Sequence, residues 1–127
     1  MIAVVDASAI VDVLLGVTAV ARRVFEFDMH APVSIDAEVL HSIRRKLMAK
    51  LVEKVEANAA VATFQTLLIT RHPVQHLVPR MWSLRDNITA YDAGYVALAE
   101  SLGVPLLTRD RRLSRSSGHA ARIEYID

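Results

Sequence analysis

Four carboxylates stand where apolar segments of the chain end or where helices begin. Asp6 follows the apolar residues 2–5, and Asp110 comes soon after a second apolar run at residues 104–107. Glu38 and Asp92 fall in the first turns of predicted helices. A lone acid beside a buried strand is costly unless it is paired, and one divalent cation pairs several carboxylates at once. The four side chains are therefore candidates for a catalytic metal site if the fold brings them together.

Each of these acids also has a local structural explanation. Asp6 could cap the helix that follows it, and Asp92 could be the acid of a capping box with Thr89. Glu38 could complement the dipole of its helix, and Asp110 could close a turn. Taken one at a time, these explanations are sufficient.

Two hydroxyls favour the shared site over four independent caps. Ser8 lies two residues after Asp6, and Thr108 lies two residues before Asp110. Independent capping does not predict hydroxyls at matched spacings, whereas such hydroxyls can orient a carboxylate or bind the water of a metal. We therefore predict that Ser8 and Thr108 are accessory residues of the site.

The types of the available side chains indicate which metal the site would take. Carboxylate oxygens suit Mg2+ or Mn2+, whereas the five histidines are scattered and show no H-E-x-x-H spacing. The absence of cysteine excludes thiolate zinc sites, disulfides and cysteine nucleophiles. Whether one or two ions bind is left open by the sequence.

Length and composition predict one compact domain over residues 1–127. Apolar residues make up 53% of the chain and charged residues 23%, which suits a globular protein with a sizeable core. We find no pattern typical of a signal peptide or a membrane span, so a cytoplasmic location is expected. The net charge of +1 argues against a uniformly basic, nonspecific binder of nucleic acid.

The arrangement of apolar residues predicts strands alternating with helices. Short apolar runs indicate strands at residues 2–5, 32–35, 104–107 and 123–126, and helical spacing indicates helices near 8–15, 18–27, 36–51, 53–68, 78–85 and 88–102. Trp82 is expected to anchor the core, and Tyr91 to belong to an inward stripe of the last helix. Such alternation is typical of a parallel sheet, whose ligands bind at the carboxyl ends of the strands.

Three segments carry a resemblance to a known family. VVDASAIVDVLL from residue 4, AEVLHSIRR from residue 37 and ITAYDAGYVALAESLGVPLLTRDRRL from residue 88 are similar to the corresponding parts of PIN-domain ribonucleases of the VapC toxin type. The resemblance covers nearly the whole chain and is most specific over residues 89–113. Glu38 is placed by a loose motif, and Asp36 is its nearest rival.

The resemblance implies a three-layer α/β/α sandwich with a central, mostly parallel sheet. It also implies a cytoplasmic Mg2+- or Mn2+-dependent endoribonuclease that hydrolyses phosphodiester bonds in RNA, acts as the toxin of a toxin-antitoxin pair, binds a VapB-like antitoxin and forms a homodimer. The catalytic and metal-binding residues would be Asp6, Glu38, Asp92 and Asp110, with Ser8 and Thr108 accessory.

Basic residues near the acids could steer the phosphates of RNA into an otherwise acidic pocket. They could equally be solvated faces of helices. The predicted RNA-binding residues are Arg44, Arg45, Arg109, Arg111 and Arg112.

Other functions fit the sequence less well. A catalytically silent PIN-like module that binds RNA or a protein is the main alternative, although retention of all four acids argues against it. A haloacid-dehalogenase phosphatase would need a second acid where Ser8 stands, and the chain has neither a G-x-G-x-x-G motif nor a P-loop.

Overall fold

The computed structural model describes every residue, Met1–Asp127. It contains five strands, seven helices and one turn of 3-10 helix at Gln75–Leu77. The strands are β1 (Ile2–Val5), β2 (Asp28–Pro32), β3 (Ile69–His72), β4 (Leu106–Thr108) and β5 (Ile123–Tyr125). The helices are α1 (Ala7–Leu14), α2 (Thr18–Val24), α3 (Ile35–Met48), α4 (Lys54–Phe64), α5 (Val78–Ser83), α6 (Ala90–Leu102) and α7 (Arg111–Ser114).

All five strands are parallel and lie in the order β3-β2-β1-β4-β5. Helix α1 packs against α2, α3 and α4, whereas α6 packs against α5 and across β1 and β2. Because parallel crossovers are right-handed, the reversal of strand order at β1 places these two sets of helices on opposite faces of the sheet. The predicted α/β/α sandwich is confirmed, and its sheet is entirely parallel.

The reversal of strand order also creates the crevice in which such sheets bind ligands. It lies between β1 and β4, where Val5 is aligned with Leu107 and the backbone N–H of Asp6 donates to the carbonyl oxygen of Leu107 at 3.2 Å. Asp6 therefore leaves the sheet at this crevice.

The last long helix largely matches its prediction. Helix α6 begins after Thr89, whose hydroxyl accepts the backbone N–H of Asp92, and it ends at Gly103 in the left-handed conformation. No helix is long and apolar enough to traverse a lipid bilayer.

Several local predictions were wrong. The second strand ends at Pro32 rather than beginning there, because residues 33–34 turn into α3, and the edge strand β3 was missed because only Ile69 of its residues is buried. Trp82 is 67% exposed and lies under the guanidinium of Arg85 at 4.7 Å. Tyr91 is 66% exposed and does not face inward.

Candidate functional site

Asp6 is fixed by three elements at the crevice. It ends β1 and caps α1, where its carboxylate accepts hydrogen bonds from the backbone N–H of Ala9 at 3.0 Å and the hydroxyl of Ser8 at 2.7 Å. The hydroxyl of Thr108, at the end of β4, also donates to it. Only 5% of Asp6 is exposed. Burial raises the pKa of Asp6 to about 6, although its hydrogen bonds with Ser8 and Thr108 oppose the rise.

The two predicted hydroxyls join the end of β1 to the loop that carries Asp110. Ser8 and Thr108 lie within 3.3 Å of each other, and Ser8 accepts the backbone N–H of Arg109 at 3.0 Å. Thr108 accepts the backbone N–H of Asp110 at 2.9 Å. Both hydroxyls therefore set the orientation of the Asp6 carboxylate and the position of the neighbouring loop at the same time.

Glu38 reaches the same edge from the first turn of α3. One of its oxygens accepts the hydroxyls of Ser34 at 2.7 Å and of Tyr95 at 3.0 Å. Burial is the main cause that raises the pKa of Glu38, and the charge of Asp92 adds to it. The rival candidate, Asp36, instead forms an ion pair with Arg71 at 2.7 Å.

Tyr95 lies beside these acids, although it was not among the predicted site residues. It is 1% exposed, and its hydroxyl bonds to Glu38. Burial, and then the charges of Glu38 and Asp6, raise the pKa of Tyr95, so it stays a neutral hydrogen-bond donor. A signal was available, because Tyr95 lies three residues after Asp92 and therefore on the same helix face.

Asp92 interacts electrostatically with each of the other three acids. Burial and then the charge of Asp110 raise the pKa of Asp92, while Arg112 lowers it. The charge of Asp92 in turn raises the pKa of both Asp6 and Glu38. The acids at the carboxyl edge of the sheet therefore repel one another, with Asp92 common to each interaction.

Asp110 has both of the roles that the sequence offered as alternatives: it caps a local turn, and it lies near the other acids. Its carboxylate caps α7 by accepting the backbone N–H groups of Arg112 at 2.9 Å and Leu113 at 3.3 Å. It also lies close enough to Asp92 to raise the pKa of that acid. Capping and proximity to the other acids are thus compatible, as they are for Asp6.

Ion pairing distinguishes these four acids from the other buried or partly buried acidic residues. Eight of the 14 acidic residues are buried or partly buried. Half of the eight form ion pairs with arginine: Asp12, Asp36, Glu100 and Glu124. The other half form none, and they are the predicted Asp6, Glu38, Asp92 and Asp110.

The donor set fits a hard divalent cation in its chemistry. No three His, Asp or Glu side chains are arranged so that they could all hold one metal ion. Mg2+ does not require such a cage, because it usually keeps several waters and takes one or two carboxylates together with substrate phosphates. Unpaired, partly buried carboxylates are the ligands that this mode of binding uses.

The predicted RNA-binding arginines differ in their surroundings. Arg109 forms an ion pair with Asp12 at 2.8 Å and donates to the carbonyl oxygen of Ile126 at 2.7 Å, so its guanidinium is largely engaged in the fold. Arg111 lies over the ring of Tyr125 at 4.1 Å and is exposed. The other three predicted residues are exposed and form no ion pair: Arg44, Arg45 and Arg112.

Two pockets flank the acids. One, of about 360 Å³, is lined by Asp92 together with Arg85 and Arg112. The other, of about 460 Å³, is lined by Ser8 and Glu38 together with residues of α3 and the beginning of α6. Asp92 therefore lines one concave surface and Glu38 another, and each surface is large enough for a ligand group.

Comparison with known proteins places the chain in a family. The PIN domain model matches residues 3–118. The chain is 42% identical over 126 residues to ribonuclease VapC12 of Mycobacterium tuberculosis, covering 97% of this chain and 98% of that protein. It is 41% identical over 128 residues to ribonuclease VapC1 of the same organism, covering 97% and 96%.

A solved structure shares the fold at low sequence identity. The structure of VapBC2 from Rickettsia felis bound to a DNA fragment from their promoter aligns over 100% of both chains, with a TM-score of 0.72 and 13% identity. The family model, the two mycobacterial relatives and this shared fold agree with the motifs around Asp6 and Asp92. The chain belongs to the PIN domain family and, within it, to the VapC group.

Proposed function

We propose that this protein is a Mg2+- or Mn2+-dependent endoribonuclease that hydrolyses phosphodiester bonds in RNA. The observation that carries the proposal is the set of four buried or partly buried carboxylates without ion pairs at the carboxyl edge of the sheet. Unneutralised acids in such positions reduce the stability of the folded chain, and a cation bound by them would remove that cost. Relatives that are about 40% identical over nearly their whole length are named ribonucleases, which supports RNA as the substrate.

The metal would be held by one or two carboxylates of the set Asp6, Glu38, Asp92 and Asp110, together with water and the substrate phosphate. When bound, a divalent ion supplies a nucleophile from water at neutral pH and neutralises charge on the departing oxygen of a phosphodiester. The protein's own part is to hold the acids in place and ionised. Hydrogen bonds from Ser8 and Thr108 to Asp6, and from Tyr95 to Glu38, do both, because a donor to a carboxylate favours its charged form.

Arginines beside the acids would bring the substrate to them. Arg44 and Arg45 lie on the helix that carries Glu38, and Arg111 and Arg112 follow Asp110, so an incoming phosphate meets positive charge on either side of the acids. Arg109 would contribute to RNA binding indirectly, because its ion pair with Asp12 holds the loop that leads to Asp110.

A partner and an assembly state belong to the same proposal. The VapBC2 structure shares this fold, and we propose that this chain acts as a toxin that a VapB-like antitoxin holds inactive. We also propose that it forms a homodimer in the cytoplasm. A small protein that is encoded beside this chain and relieves growth arrest caused by its expression would be the expected antitoxin.

The test compares acids that differ in position but not in chemistry. Purified protein, freed of any partner, is incubated with cellular RNA in Mg2+, Mn2+ or EDTA, alongside the variants Asp6→Asn, Asp92→Asn and Asp28→Asn. Asp28 is the matched control, because it is exposed, forms no ion pair and begins β2 at the other edge of the sheet. Cleavage that needs metal, survives in Asp28→Asn and is lost in the other two variants is the expected result.

Two outcomes would contradict the proposal. Equal cleavage by wild type and Asp92→Asn would assign the activity to a contaminant or to another site. RNA binding without cleavage in any metal would favour the catalytically silent module instead.

A further inference from the structure

The larger of the two pockets beside the acids has features that metal binding does not explain. It lies between α1, α3 and the beginning of α6, and it shares Ser8 and Glu38 with the acid site. Its remaining wall includes Tyr91, His41 and Arg45. At about 460 Å³, it falls within the range of roughly 300 to 1,000 Å³ that is typical of ligand pockets.

These three side chains have no polar partner within the protein. The side-chain hydrogen bonds in the pocket are those of Ser8, Ser34 and Glu38, and Arg45 forms no ion pair. Tyr91 is 66% exposed, although it adjoins Asp92 in the most specific motif of the chain. An aromatic ring, a guanidinium and an imidazole that line one pocket and make no hydrogen bond or ion pair within the fold are available to a ligand.

The two pockets differ in what they can bind. The pocket on the Asp92 side is lined mainly by charged and amide groups, among them Arg85, Asp86, Asn87 and Arg112, and these suit phosphates and riboses. The pocket on the Glu38 side adds an exposed aromatic ring and the small side chains of Ala7 and Ala37. An RNA strand whose phosphate lies at the acids would therefore place its charged backbone in the pocket on the Asp92 side and a base in the pocket on the Glu38 side.

We infer that the Tyr91 pocket holds an unpaired nucleobase adjacent to the phosphate that is cleaved, with the base stacked on Tyr91 and its phosphate contacted by Arg45. This inference rests on the proposed function, which it deepens by assigning a positioning residue for the substrate. Unpaired bases in RNA are recognised by stacking on aromatic side chains and by hydrogen bonds to their edges. His41 and Ser42 supply polar groups to such an edge.

The experiment measures binding separately from cleavage. A short single-stranded RNA that contains a site cut by the wild-type protein is labelled, and its affinity is measured by fluorescence anisotropy with Asp92→Asn protein, which is expected not to cut it. Tyr91→Ala, Tyr91→Phe and the control Phe25→Ala are introduced into that background. Phe25 is a matched control because it is an exposed aromatic residue that follows α2, away from both pockets.

We expect Tyr91→Ala to weaken binding on the order of 5- to 100-fold, because stacking on one aromatic ring contributes about that much per base. Tyr91→Phe and Phe25→Ala should bind as the parent protein does. Arg45→Gln should weaken binding of all sequences alike and reduce the salt dependence by about one phosphate contact. With Asp92 restored, Tyr91→Ala should raise KM and leave kcat nearly unchanged.

A set of probes, each lacking one base, locates the contact. One abasic position near the cleaved phosphate should weaken binding to the Tyr91 protein and cause no further loss in Tyr91→Ala. Equal affinity of Tyr91→Ala and Phe25→Ala, or an equal loss at every abasic position, would overturn the inference while wild-type cleavage leaves the proposed function intact. If wild-type protein neither binds nor cuts RNA, the proposed function and this inference fail together.

Discussion

The partly buried carboxylates of this protein fall into two groups with opposite surroundings. Those with arginine partners join separate elements: α2 to β5 through Arg23 and Glu124, and α5 to α6 through Arg80 and Glu100. Those without partners lie together at the carboxyl edge of the sheet, where Asp92 raises the pKa of its neighbours. The chain has enough arginine to pair all of them, and it leaves unpaired the ones that adjoin the crevice.

The difference indicates what each group contributes. A paired carboxylate contributes modestly to stability and can be lost at a small cost when the pair is exposed. An unpaired carboxylate in a partly buried site lowers stability when it ionises, so its presence needs another cause, and cation binding supplies one. The predictions that follow test whether the two groups respond oppositely to the same kind of change.

The largest expected effect on RNA cleavage distinguishes two acids of helix α3. Glu38→Gln removes an unpaired acid, and we expect cleavage of RNA to fall by about a hundredfold or more, because metal-assisted stabilisation amounts to several kcal/mol. Asp36→Asn removes the partner of Arg71 in a partly exposed pair and should change cleavage only a few-fold. Initial rates in Mn2+ at saturating RNA measure both. A larger loss in Asp36→Asn would reverse the assignment.

The second prediction concerns stability as a function of pH. The pKa of Asp6 is raised from 3.8, the value of an unperturbed aspartate, to about 6 in the folded chain. Asp6 therefore contributes stability that is present below pH 3.8 and lost as the pH rises through 6. Asp6→Asn cannot ionise. In EDTA, the free energy of unfolding of the variant should rise relative to that of wild type as the pH increases from 3.8 to about 6, by about 3 kcal/mol in all, and stay higher above that pH.

Denaturant unfolding at several pH values measures this difference. Addition of Mn2+ at about pH 7.5 should stabilise wild type and leave Asp6→Asn nearly unchanged, because a cation that binds the folded state stabilises it and the variant lacks one of the ligands. Parallel stability curves for the two proteins in EDTA would contradict the interpretation of Asp6 as an uncompensated buried acid.

The third prediction tests whether Arg109 binds RNA or stabilises the fold. Arg109 was predicted to bind RNA, and in the structure it pairs with Asp12 and bonds the carbonyl oxygen of Ile126. Arg109→Gln should lower the free energy of unfolding by about 1 to 3 kcal/mol, the usual effect of losing hydrogen bonds of a charged group. A double-mutant cycle with Asp12→Asn measures the pair. Weaker RNA binding at unchanged stability would instead assign Arg109 to the substrate.

The fold and the acids could be predicted because their signals are local. Apolar runs mark β1 and β4, and Thr89 and Gly103 mark the ends of α6 in the sequence itself. The edge strand β3 carried no such signal, because two of its four residues, Thr70 and Arg71, are exposed and polar. Parallel strands read as apolar runs only where both faces are covered.

Predictions about side-chain surroundings failed for a different reason. Trp82 and Tyr91 were assigned to the core from their size and spacing, but they are 67% and 66% exposed. Trp82 lies on the short helix α5, none of whose residues is buried, and Tyr91 lies in the first turn of α6, where it lines a pocket. Which acids find an arginine also depends on contacts between residues up to 101 positions apart, as for Arg23 and Glu124. Such contacts follow from the whole topology and not from any local pattern.

The smallest effect should come from a residue that touches only one of the unpaired acids. Tyr95→Phe removes the hydroxyl that donates to Glu38 at 3.0 Å and so helps to keep the pKa of Glu38 down. Without it, the pKa of Glu38 should rise further, and the affinity for Mn2+ at about pH 7 should fall roughly tenfold, the lower end of losses caused by changing a residue that orients a metal ligand. Stability should change by about 1 kcal/mol, because Ser34 still donates to Glu38. Titration of cleavage against Mn2+ at several pH values measures the affinity, and denaturant unfolding measures the stability. The control is Thr66→Val, which removes a hydroxyl that donates to the carbonyl oxygen of Thr63. If the loss of affinity does not diminish as the pH rises, the hydroxyl positions Glu38 without affecting its charge, and the contrast between paired and unpaired acids is then one of geometry alone.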